Sequence, residues 1–339
     1  MKTYIASGFI LALLSSTVVA VPVVAQTRTL EFVGFIPGPA ETVYTNRTHA
    51  YISDGLTLRI FDVNNPATPT FVGSYDFPQK IYGVTVAESI AYAAVDFLGL
   101  GILDVSNPAA PKLLGFFETG GQALGVGISG STAVIANRLS GLEIIDVSDP
   151  STPTSKGAYF TEGYATDVAV EGTTAYVVDR PGGLSIIDLS KPGEPDAEST
   201  QITTERAATV AAGRQSEGTT LAAVLGTDSL LEIFDVSDSS SPVSVSTYRH
   251  PERPATGRTI GWPRARFSGA LAFMADAYPP FLLQAIDLSD ATDPTLVAAY
   301  EPPGSPGYIS VSGSLVFVTI AGDDDGSTEP GVLILRLNS

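Results

Sequence analysis

Side chains that can donate protons or hold an anion are concentrated in the short loops between the apolar segments of this chain. Tyrosine, histidine and arginine can donate a proton or a hydrogen bond to a leaving oxygen, and arginine and lysine can hold an anion. The candidate proton donors are Tyr82, Tyr164, His250 and Arg253. The candidates for contacting a bound molecule are Lys80, Gln122, Arg138, Asp179, Arg206, Trp262, Tyr278 and Tyr308.

The densest group of such residues follows Tyr248. The segment Tyr248-Arg249-His250-Pro251-Glu252-Arg253 leads towards Arg258, Trp262, Arg264 and Arg266. Guanidinium groups beside aromatic faces suit an anionic or enolised planar ligand, through forked hydrogen bonds and stacking. The alternative is a solvated, proline-rich loop whose arginines pair with neighbouring carboxylates.

The motifs give no support to metal or nucleotide chemistry. The chain has two histidines and no cysteine, and it lacks the His-x-x-x-His spacing of zinc or iron sites. It has no Gly-x-Ser-x-Gly motif and no glycine-rich loop before a helix, so neither a serine hydrolase nor a nucleotide enzyme is predicted. Asp323-Asp324-Asp325-Gly326 lacks the spaced ligands of a calcium loop and is predicted to be an exposed acidic turn. We therefore expect no cofactor and no metal.

A Leu-x-Ile-x-Asp-Val-Ser pattern, closed by a proline-bearing turn, returns along the chain. Its copies begin at Leu58, Leu100, Leu142, Leu184, Leu231, Leu283 and Val332. The steps between them are 42, 42, 42, 47, 52 and 49 residues, a period typical of propeller repeats. Six copies carry an aspartate at one place, Asp62, Asp104, Asp146, Asp188, Asp235 and Asp287, and the seventh carries Arg336. Because a carboxylate there can bond the N–H groups of the turn that follows, we interpret this aspartate as structural.

Each repeat is predicted to contain four short strands separated by glycine and proline turns. In the fourth repeat these are Thr166 to Val170, Thr174 to Asp179, Leu184 to Leu189 and a segment after Pro195. The third strand is apolar on both faces, as a strand between stacked blades must be. The chain has 33 glycines and 24 prolines, spaced too closely for long helices.

The two ends of the chain predict how the repeats close. The last repeat ends directly after its third strand, and Leu30 to Phe35 matches Thr70 to Tyr75, the fourth strand of the first repeat. Pairing of this N-terminal strand with the last repeat removes the exposed sheet edges. The sequence therefore predicts an all-β fold, a seven-bladed β-propeller closed by the N-terminal strand in the last blade.

In a propeller, the loops leading into each first strand and the turns between second and third strands surround the mouth of the central channel. The repeat alignment places at this mouth Glu41, Lys80, Tyr82, Gln122, Tyr164, Arg206, His250, Arg253 and Tyr308 from the leading loops. From the turns it places Asp54, Asp96, Arg138, Asp179, Arg180, Asp276 and Tyr278. These positions differ from blade to blade, as one asymmetric ligand requires, although ordinary loop variation gives the same appearance.

The N-terminus has the pattern of an export signal. Lys2 precedes an apolar run from Ile5 to Val24, and small residues lead to a cleavage site near Ala25-Gln26. We expect residues 1–26 to be a signal peptide rather than an uncleaved anchor, and residues 27–339 to form the propeller, secreted or in the secretory pathway. Asn46-Arg47-Thr48 is a glycosylation sequon if the host is a eukaryote.

The charge of the chain limits its partners. A formal net charge of −18 argues against binding to nucleic acid or to an anionic membrane, since phosphate contacts need clustered lysine and arginine. We expect a small-molecule substrate or ligand, no nucleic acid, no membrane after signal removal, and a monomer. The absence of cysteine excludes a disulfide framework.

The segment Leu142-Glu143-Ile144-Ile145-Asp146 and its copies resemble the third strand that gives the LVIVD-repeat family its name. The resemblance covers essentially the whole mature chain, and departs from the pattern in the lengthened fifth and sixth repeats and at Arg336. It implies an exported seven-bladed propeller. Most members look like surface or extracellular proteins without a known reaction, whereas some secreted fungal members act as hetero-Diels–Alderases on tropolone-type precursors and cyclic sesquiterpenes.

Three functions follow as expectations. In the first, the propeller binds a small aromatic or terpenoid molecule at its channel mouth as a cofactor-free natural-product enzyme. A donor at the mouth would help a benzylic-type hydroxyl leave, and the quinone methide formed would undergo a hetero-Diels–Alder cycloaddition. The second is a non-catalytic extracellular or cell-surface scaffold that binds a protein or glycan. The third is a polysaccharide lyase that uses tyrosine, histidine and arginine at the mouth. One deep pocket favours the enzyme, and a flat face favours the scaffold.

Overall fold

The computed structural model describes residues 28–191, 195, 197–201, 207–215, 218–250, 264–277, 281–323 and 326–338. These residues form seven antiparallel sheets of four strands each. The predicted all-β, seven-bladed propeller is confirmed. The signal peptide expected over residues 1–26 lies outside the described residues.

The strands follow one another along the chain, after an initial strand β1 (Thr29–Pro37) that belongs to the last blade. Blade 1 consists of β2 (Thr42–Thr45), β3 (His49–Ser53), β4 (Thr57–Asp62) and β5 (Thr70–Asp76). Blade 2 consists of β6 (Ile81–Ala87), β7 (Ile90–Val95), β8 (Gly99–Asp104) and β9 (Lys112–Phe117). Blade 3 consists of β10 (Gly125–Ser129), β11 (Thr132–Ala136), β12 (Leu142–Asp146) and β13 (Thr154–Tyr159). Blade 4 consists of β14 (Tyr164–Glu171), β15 (Thr174–Arg180), β16 (Gly183–Asp188) and β17 (Ala197–Gln201).

The later blades repeat this arrangement. Blade 5 consists of β18 (Ala207–Arg214), β19 (Thr220–Gly226), β20 (Leu231–Asp235) and β21 (Val243–Tyr248). Blade 6 consists of β22 (Arg264–Ser268), β23 (Leu271–Asp276), β24 (Leu282–Asp287) and β25 (Thr295–Tyr300). Blade 7 consists of β26 (Pro306–Ser312), β27 (Leu315–Ile320), β28 (Gly331–Asn338) and β1. The described helical structure is one 3₁₀ turn, Asp96–Leu98, between β7 and β8. No helix in the described part of the chain is long and apolar enough to cross a membrane.

The hydrophobic core is divided among the seven interfaces between neighbouring blades. Each third strand buries residues on both faces, as in β12, where Leu142, Ile144 and Ile145 are fully buried. Ile144 packs in the cluster shared with blade 4, and Ile145 packs in the cluster shared with blade 2. Because a strand between two blades has no solvated face, its sequence is a nearly continuous apolar run.

Blade 7 and blade 1 are packed together like the other neighbours. Residues of β1 pair with β28 from Thr29 opposite Asn338 to Pro37 opposite Gly331. One apolar cluster combines Ile36 and Phe317 of blade 7 with Ile52 of blade 1. The ring therefore has an interface at this junction too, and β1 covers the free edge of β28.

Fourth-strand glycines allow the turn of the next blade to approach closely. A Cβ atom on Gly73 would lie 2.4 Å from the backbone oxygen of Pro108 in blade 2. In the same way, a Cβ atom on Gly34 of β1 would lie 2.1 Å from the backbone oxygen of Pro66 in blade 1. Since neither distance leaves room for a side chain, glycine is required there by the contact between blades.

The repeated aspartate has the structural role that the sequence predicts. In all six copies its Oδ1 accepts a hydrogen bond from the backbone N–H two residues further on, at 2.7–2.9 Å. The donors are Asn64, Ser106, Ser148, Ser190, Ser237 and Ser289. The aspartate thereby holds the turn that leads from the third strand to the fourth.

Candidate functional site

One end of the central channel opens into a cavity of about 730 Å³. Its walls combine the ends of first and second strands with the loops that lead into first strands and the turns between second and third strands. Six of the twelve candidate residues line it: Lys80, Tyr82, Gln122, Arg138, Tyr164 and Tyr308. They come from blades 2, 3, 4 and 7, so the fold brings together side chains that are up to 228 residues apart in the chain.

The floor of the cavity contains a buried ion pair. Arg264, at the start of β22, points its Nη1 at Asp167 Oδ2 over 3.4 Å. Asp167 lies in β14, where it also accepts bonds from Thr209 Oγ1 and, at 3.3 Å, from the Val210 N–H. A pocket of about 50 Å³ that contains Asp167 and Arg266 adjoins the cavity. The carboxylate is thus held by hydrogen bonds and by charge, as a buried carboxylate must be.

Tyr308 connects this floor to the wall of blade 2. The Arg264 guanidinium carbon lies 3.9 Å from the centre of the Tyr308 ring, and its Nη2 donates to the Tyr308 hydroxyl. That hydroxyl in turn donates to the backbone oxygen of Tyr82 at 2.5 Å. Burial raises the pKa of Tyr308, so its hydroxyl stays protonated and remains a donor at neutral pH.

Gln122 links three side chains in the wall between blades 2 and 3. Its Oε1 accepts a bond from Arg138 Nη1 at 2.6 Å, and its Nε2 donates to Asp96 Oδ1 at 2.9 Å. The Tyr82 hydroxyl lies 3.5 Å from the same Nε2. Arg138 also lies over the Tyr164 ring, with its guanidinium carbon 5.8 Å from the ring centre. A guanidinium and an aromatic face are therefore presented side by side to the cavity.

Lys80 stands at the entrance. Its Nζ lies 2.5 Å from Glu41 Oε2 and 5.2 Å from the centre of the Tyr82 ring. Both charged groups of this pair are about two-fifths exposed, so the pair contributes little to stability.

Arg180 adds a further cation to the wall of blade 4. It ends β15 and its Nε donates to the backbone oxygen of Ala207 in blade 5. Burial lowers the pKa of Arg180, and the nearby charge of Arg264 lowers it further. Two guanidinium groups thus face the same part of the cavity from different blades.

Two predicted site residues lie elsewhere. Asp179 is buried, and its Oδ2 accepts the Gly163 N–H at 2.9 Å, so it holds the loop leading into blade 4. Burial raises the pKa of Asp179. His250 is buried after β21 and is not among the residues that line the cavity. Asp179 lies in β15 rather than in the turn that follows it, and neither residue is part of the cavity lining.

Four predicted residues, Arg206, Arg253, Trp262 and Tyr278, lie outside the described part of the chain, as does the rest of the basic segment up to residue 263. Asn46, the predicted glycosylation site, is in the turn between β2 and β3. The bonds that its Oδ1 accepts come from its own turn, including the backbone N–H groups of Thr48 and His49. That turn is at the opposite end of the blade from the cavity.

Asp167 and Arg264 are the site residues that the predicted set does not contain. The sequence predicts Arg264 only as part of the basic segment, and Asp167 not at all. The repeats do carry a signal for Asp167. The places 42 residues away in the neighbouring repeats are Gly125 and Thr209, so an acidic residue at this position interrupts a series of small ones. In the described residues, no group of three or more histidine, cysteine, aspartate or glutamate side chains is arranged to hold a metal ion.

Comparison with solved structures shows that the chain has a β-propeller fold. The β-propeller domain of Cps50 (Swd1) from Myceliophteria thermophila is similar with a TM-score of 0.68 at 14% identity, covering 91% of this chain and 99% of that one. The computationally designed protein Ika8 is similar with a TM-score of 0.60 at 9% identity, covering 92% and 99%. At such identities the likeness concerns the fold alone.

Comparison with curated proteins finds no match. The model of the LVIVD repeat matches residues 37–77, 81–119, 120–161, 162–203 and 226–250. These matches follow blades 1 to 5 and together span more than half of the 339 residues. The protein therefore belongs to the LVIVD-repeat family.

Proposed function

We propose that this protein binds a small aromatic or terpenoid molecule in the cavity at its channel mouth. The observation that carries this proposal is the convergence of Lys80, Tyr82, Gln122, Arg138, Tyr164 and Tyr308 on one cavity of about 730 Å³. Ligand sites for small molecules are typically concave and of this size, with a few polar groups among apolar ones. A flat face would instead favour a scaffold that binds a protein or glycan.

The lining suits a planar molecule in particular. The Tyr82 hydroxyl lies near Gln122 and the Tyr164 ring lies near Arg138. Ile81, Leu124 and Ala277 add apolar residues to the lining. Aromatic faces stack on planar ligands, and the guanidinium and amide groups can orient the oxygens of such a ligand. Binding in this cavity would also remove a reactive molecule from bulk water.

The reaction we propose for the bound molecule is loss of a benzylic-type hydroxyl as water, followed by cycloaddition of an alkene. Tyr82 or Tyr164 would protonate the leaving hydroxyl and recover a proton from the ring hydroxyl of the substrate, which leaves a neutral quinone methide. The test is formation of a cycloadduct from 2-hydroxybenzyl alcohol and an alkene, faster with the wild type than with Tyr82→Phe or Tyr164→Phe. The lyase alternative loses its histidine, because His250 does not line the cavity.

We further propose that the protein acts after export, since residues 1–26 have the composition of a signal peptide. Sequencing the N-terminus of the protein recovered from its native host tests this proposal. A first residue near Gln26 or Thr27 supports it, and an intact Met1 contradicts it.

Binding itself can be tested with N-phenyl-1-naphthylamine, an uncharged aromatic probe whose fluorescence rises in apolar surroundings. We expect saturable binding by the full chain. The variant Ala40→Trp, which places an indole in the cavity lining, should weaken binding at least tenfold, because the probe and the new side chain compete for the same space. The matched variant Ala110→Trp, in an exposed turn of blade 2, should bind as the wild type does. Absence of saturable binding, or equal binding by both variants, contradicts the proposal.

A further inference from the structure

The charge of the cavity is opposite to that of the protein. The whole chain has 36 acidic and 18 basic residues, yet the described residues that line the cavity include Lys80, Arg138, Arg180 and Arg264 against one carboxylate, Glu41. A cavity with this lining creates a local positive potential inside an acidic molecule. Such a potential would select anions from among the ligands that fit.

Lys80 and Arg264 each form an ion pair with a carboxylate of the protein. Lys80 pairs with Glu41 at 2.5 Å and Arg264 pairs with Asp167 at 3.4 Å. Arg138 differs, because the bond at 2.6 Å from its Nη1 goes to the neutral amide of Gln122. Among the described residues, no carboxylate oxygen lies within 4.0 Å of the Arg138 guanidinium. Arg138 therefore carries a positive charge that Gln122 orients towards the cavity but does not neutralise.

Large apolar side chains are exposed at the end of the propeller where this cavity opens. Leu56 is 52% exposed, Phe97 63%, Leu139 73% and Phe160 76%. We call these four residues the apolar rim. Each stands in a turn or leading loop of blades 1 to 4, the blades that contribute Glu41, Lys80, Gln122, Arg138 and Tyr164 to the cavity.

Local contacts connect the apolar rim to the cavity wall. The Phe97 N–H donates to Gln79 Oε1 at 3.0 Å, beside Lys80. The residue before Phe97 is Asp96, which accepts the bond from Gln122. Leu139 directly follows Arg138, and the Arg138 backbone oxygen accepts the Ala165 N–H at 3.0 Å, next to Tyr164. Exposed apolar side chains that occur singly need no explanation, but four on consecutive blades around one opening form a surface that a ligand or partner can cover.

We infer that the ligand is an amphipathic organic acid. Its carboxylate, sulfonate or ionised hydroxyl contacts Arg138, and its ring stacks on Tyr164. The remaining apolar part extends out of the cavity over Leu139 and Phe160. This inference rests on the proposed function, and adds to it the charge and the polarity of the molecule that is bound.

The test compares two probes that share an aromatic body. 1-Anilinonaphthalene-8-sulfonate carries one sulfonate, and N-phenyl-1-naphthylamine is the same molecule without it. The Kd of the full chain for the sulfonate is expected to be at least tenfold lower, and to rise with salt concentration because an ion pair is screened. The Kd for the neutral probe should change little with salt.

Matched variants test separately whether the ligand is charged and whether its apolar part contacts the apolar rim. Arg138→Gln should raise the Kd for the sulfonate about tenfold without changing the Kd for the neutral probe. Lys112→Gln removes the same charge from the exposed strand β9, far from the cavity, and should leave both values unchanged. Leu139→Ser and Phe160→Ser should weaken both probes together, because they remove the apolar surface but no charge.

The outcomes can be distinguished from failure of the proposed function. If neither probe binds in the cavity, the proposed function itself is wrong. The inference that the ligand is an acid is overturned if both probes bind with equal affinity. It is also overturned if Arg138→Gln leaves the affinity for the sulfonate unchanged. If Leu139→Ser and Phe160→Ser bind both probes as the wild type does, the inference that the ligand extends over the apolar rim is overturned. Phosphatidylcholine vesicles that bind the protein and displace both probes would assign the apolar rim to a membrane surface and also overturn it.

Discussion

Among single residues, Asp167 determines how the side chains of the cavity floor are arranged. It is buried, and it is the carboxylate towards which Arg264 and, at 4.0 Å, Arg266 are directed. The hydroxyl of Thr209 and the N–H of Val210 complete its surroundings. A buried ion pair of this kind stabilises a fold little in comparison with apolar packing, but loss of one partner leaves a buried charge uncompensated. Its role here is to hold Arg264 against the ring of Tyr308.

We predict that Asp167→Asn lowers the free energy of unfolding by about 3 kcal/mol, the typical cost of breaking a buried pair. The asparagine keeps the shape and one acceptor oxygen, so the loss reports the charge. Urea denaturation of the two proteins measures it. Glu41→Gln breaks the exposed Lys80 pair and should cost less than about 1 kcal/mol. Equal effects of both variants would show that Asp167 and Arg264 are not paired in a desolvated site.

At the scale of elements, the turn after the third strand of blades 1 to 6 depends on a carboxylate. Hydrogen bonds from Ser106, Ser148 and Ser190 lower the pKa values of Asp104, Asp146 and Asp188. A carboxyl group whose pKa is lower in the folded state contributes stability that is present above its unfolded pKa of about 4. That contribution is lost as the pH falls through the folded pKa, because the folded state must then take up a proton.

We therefore expect the urea midpoint to fall steeply below a pH of about 4. A variant with Asp104→Asn, Asp146→Asn and Asp188→Asn keeps an acceptor oxygen in each turn but cannot titrate there. Its midpoint should depend less on pH between about pH 4 and pH 2 than that of the wild type. If the two pH profiles have the same slope, these turns do not contribute to acid unfolding.

For the whole molecule, stability depends on closure of the ring. Seven apolar clusters lie between seven pairs of neighbouring blades, and the one between blades 7 and 1 depends on β1. β1 brings Ile36 into that cluster and occupies the edge of β28 along its length. Without this strand, β28 would expose unpaired backbone groups and the apolar faces beside them.

Removal of residues 1–37 should therefore destabilise the ring far more than removal of residues 1–26. We expect the chain that begins at residue 27 to unfold cooperatively, and the chain that begins at residue 38 to aggregate or to lose its cooperative transition in thermal unfolding followed by circular dichroism. A synthetic peptide of residues 27–37 should restore part of the transition in the shorter chain. Identical transitions for the two chains would contradict closure by β1.

Much of this architecture can be predicted from the sequence, because a repeat reports the same physical requirement several times. The strands of blade 4 illustrate this, because the first and last residues of β14, β15 and β16 each lie within two residues of the predicted bounds. The structural role of the aspartates was predictable for the same reason. An aspartate that recurs at one place in six repeats indicates that each repeat needs the same hydrogen bond there. The loops at the channel mouth follow directly from the repeat register.

The direction of individual side chains at the mouth could not be predicted in this way. Asp179, near the end of β15, and Gln122, in the loop before β10, are equally plausible candidates from the sequence. The Asp179 carboxylate accepts the Gly163 N–H, whereas Gln122 lines the cavity. The choice depends on partners in other parts of the chain. Arg138 is available to Gln122 only because blade 3 stands beside blade 2 in the ring.

Period and alternation are local properties that every repeat carries, so the family, the number of blades and the loops around the channel could be predicted from the sequence. The tertiary structure was needed to show that the mouth holds a cavity of about 730 Å³ whose lining includes four cations, and that the apolar rim is exposed at the same end. The pairing of Asp167 with Arg264, 97 residues further along the chain, has no local signature. Such a pair forms because closure of the ring forces charges from different blades into one desolvated space, where each must find a partner.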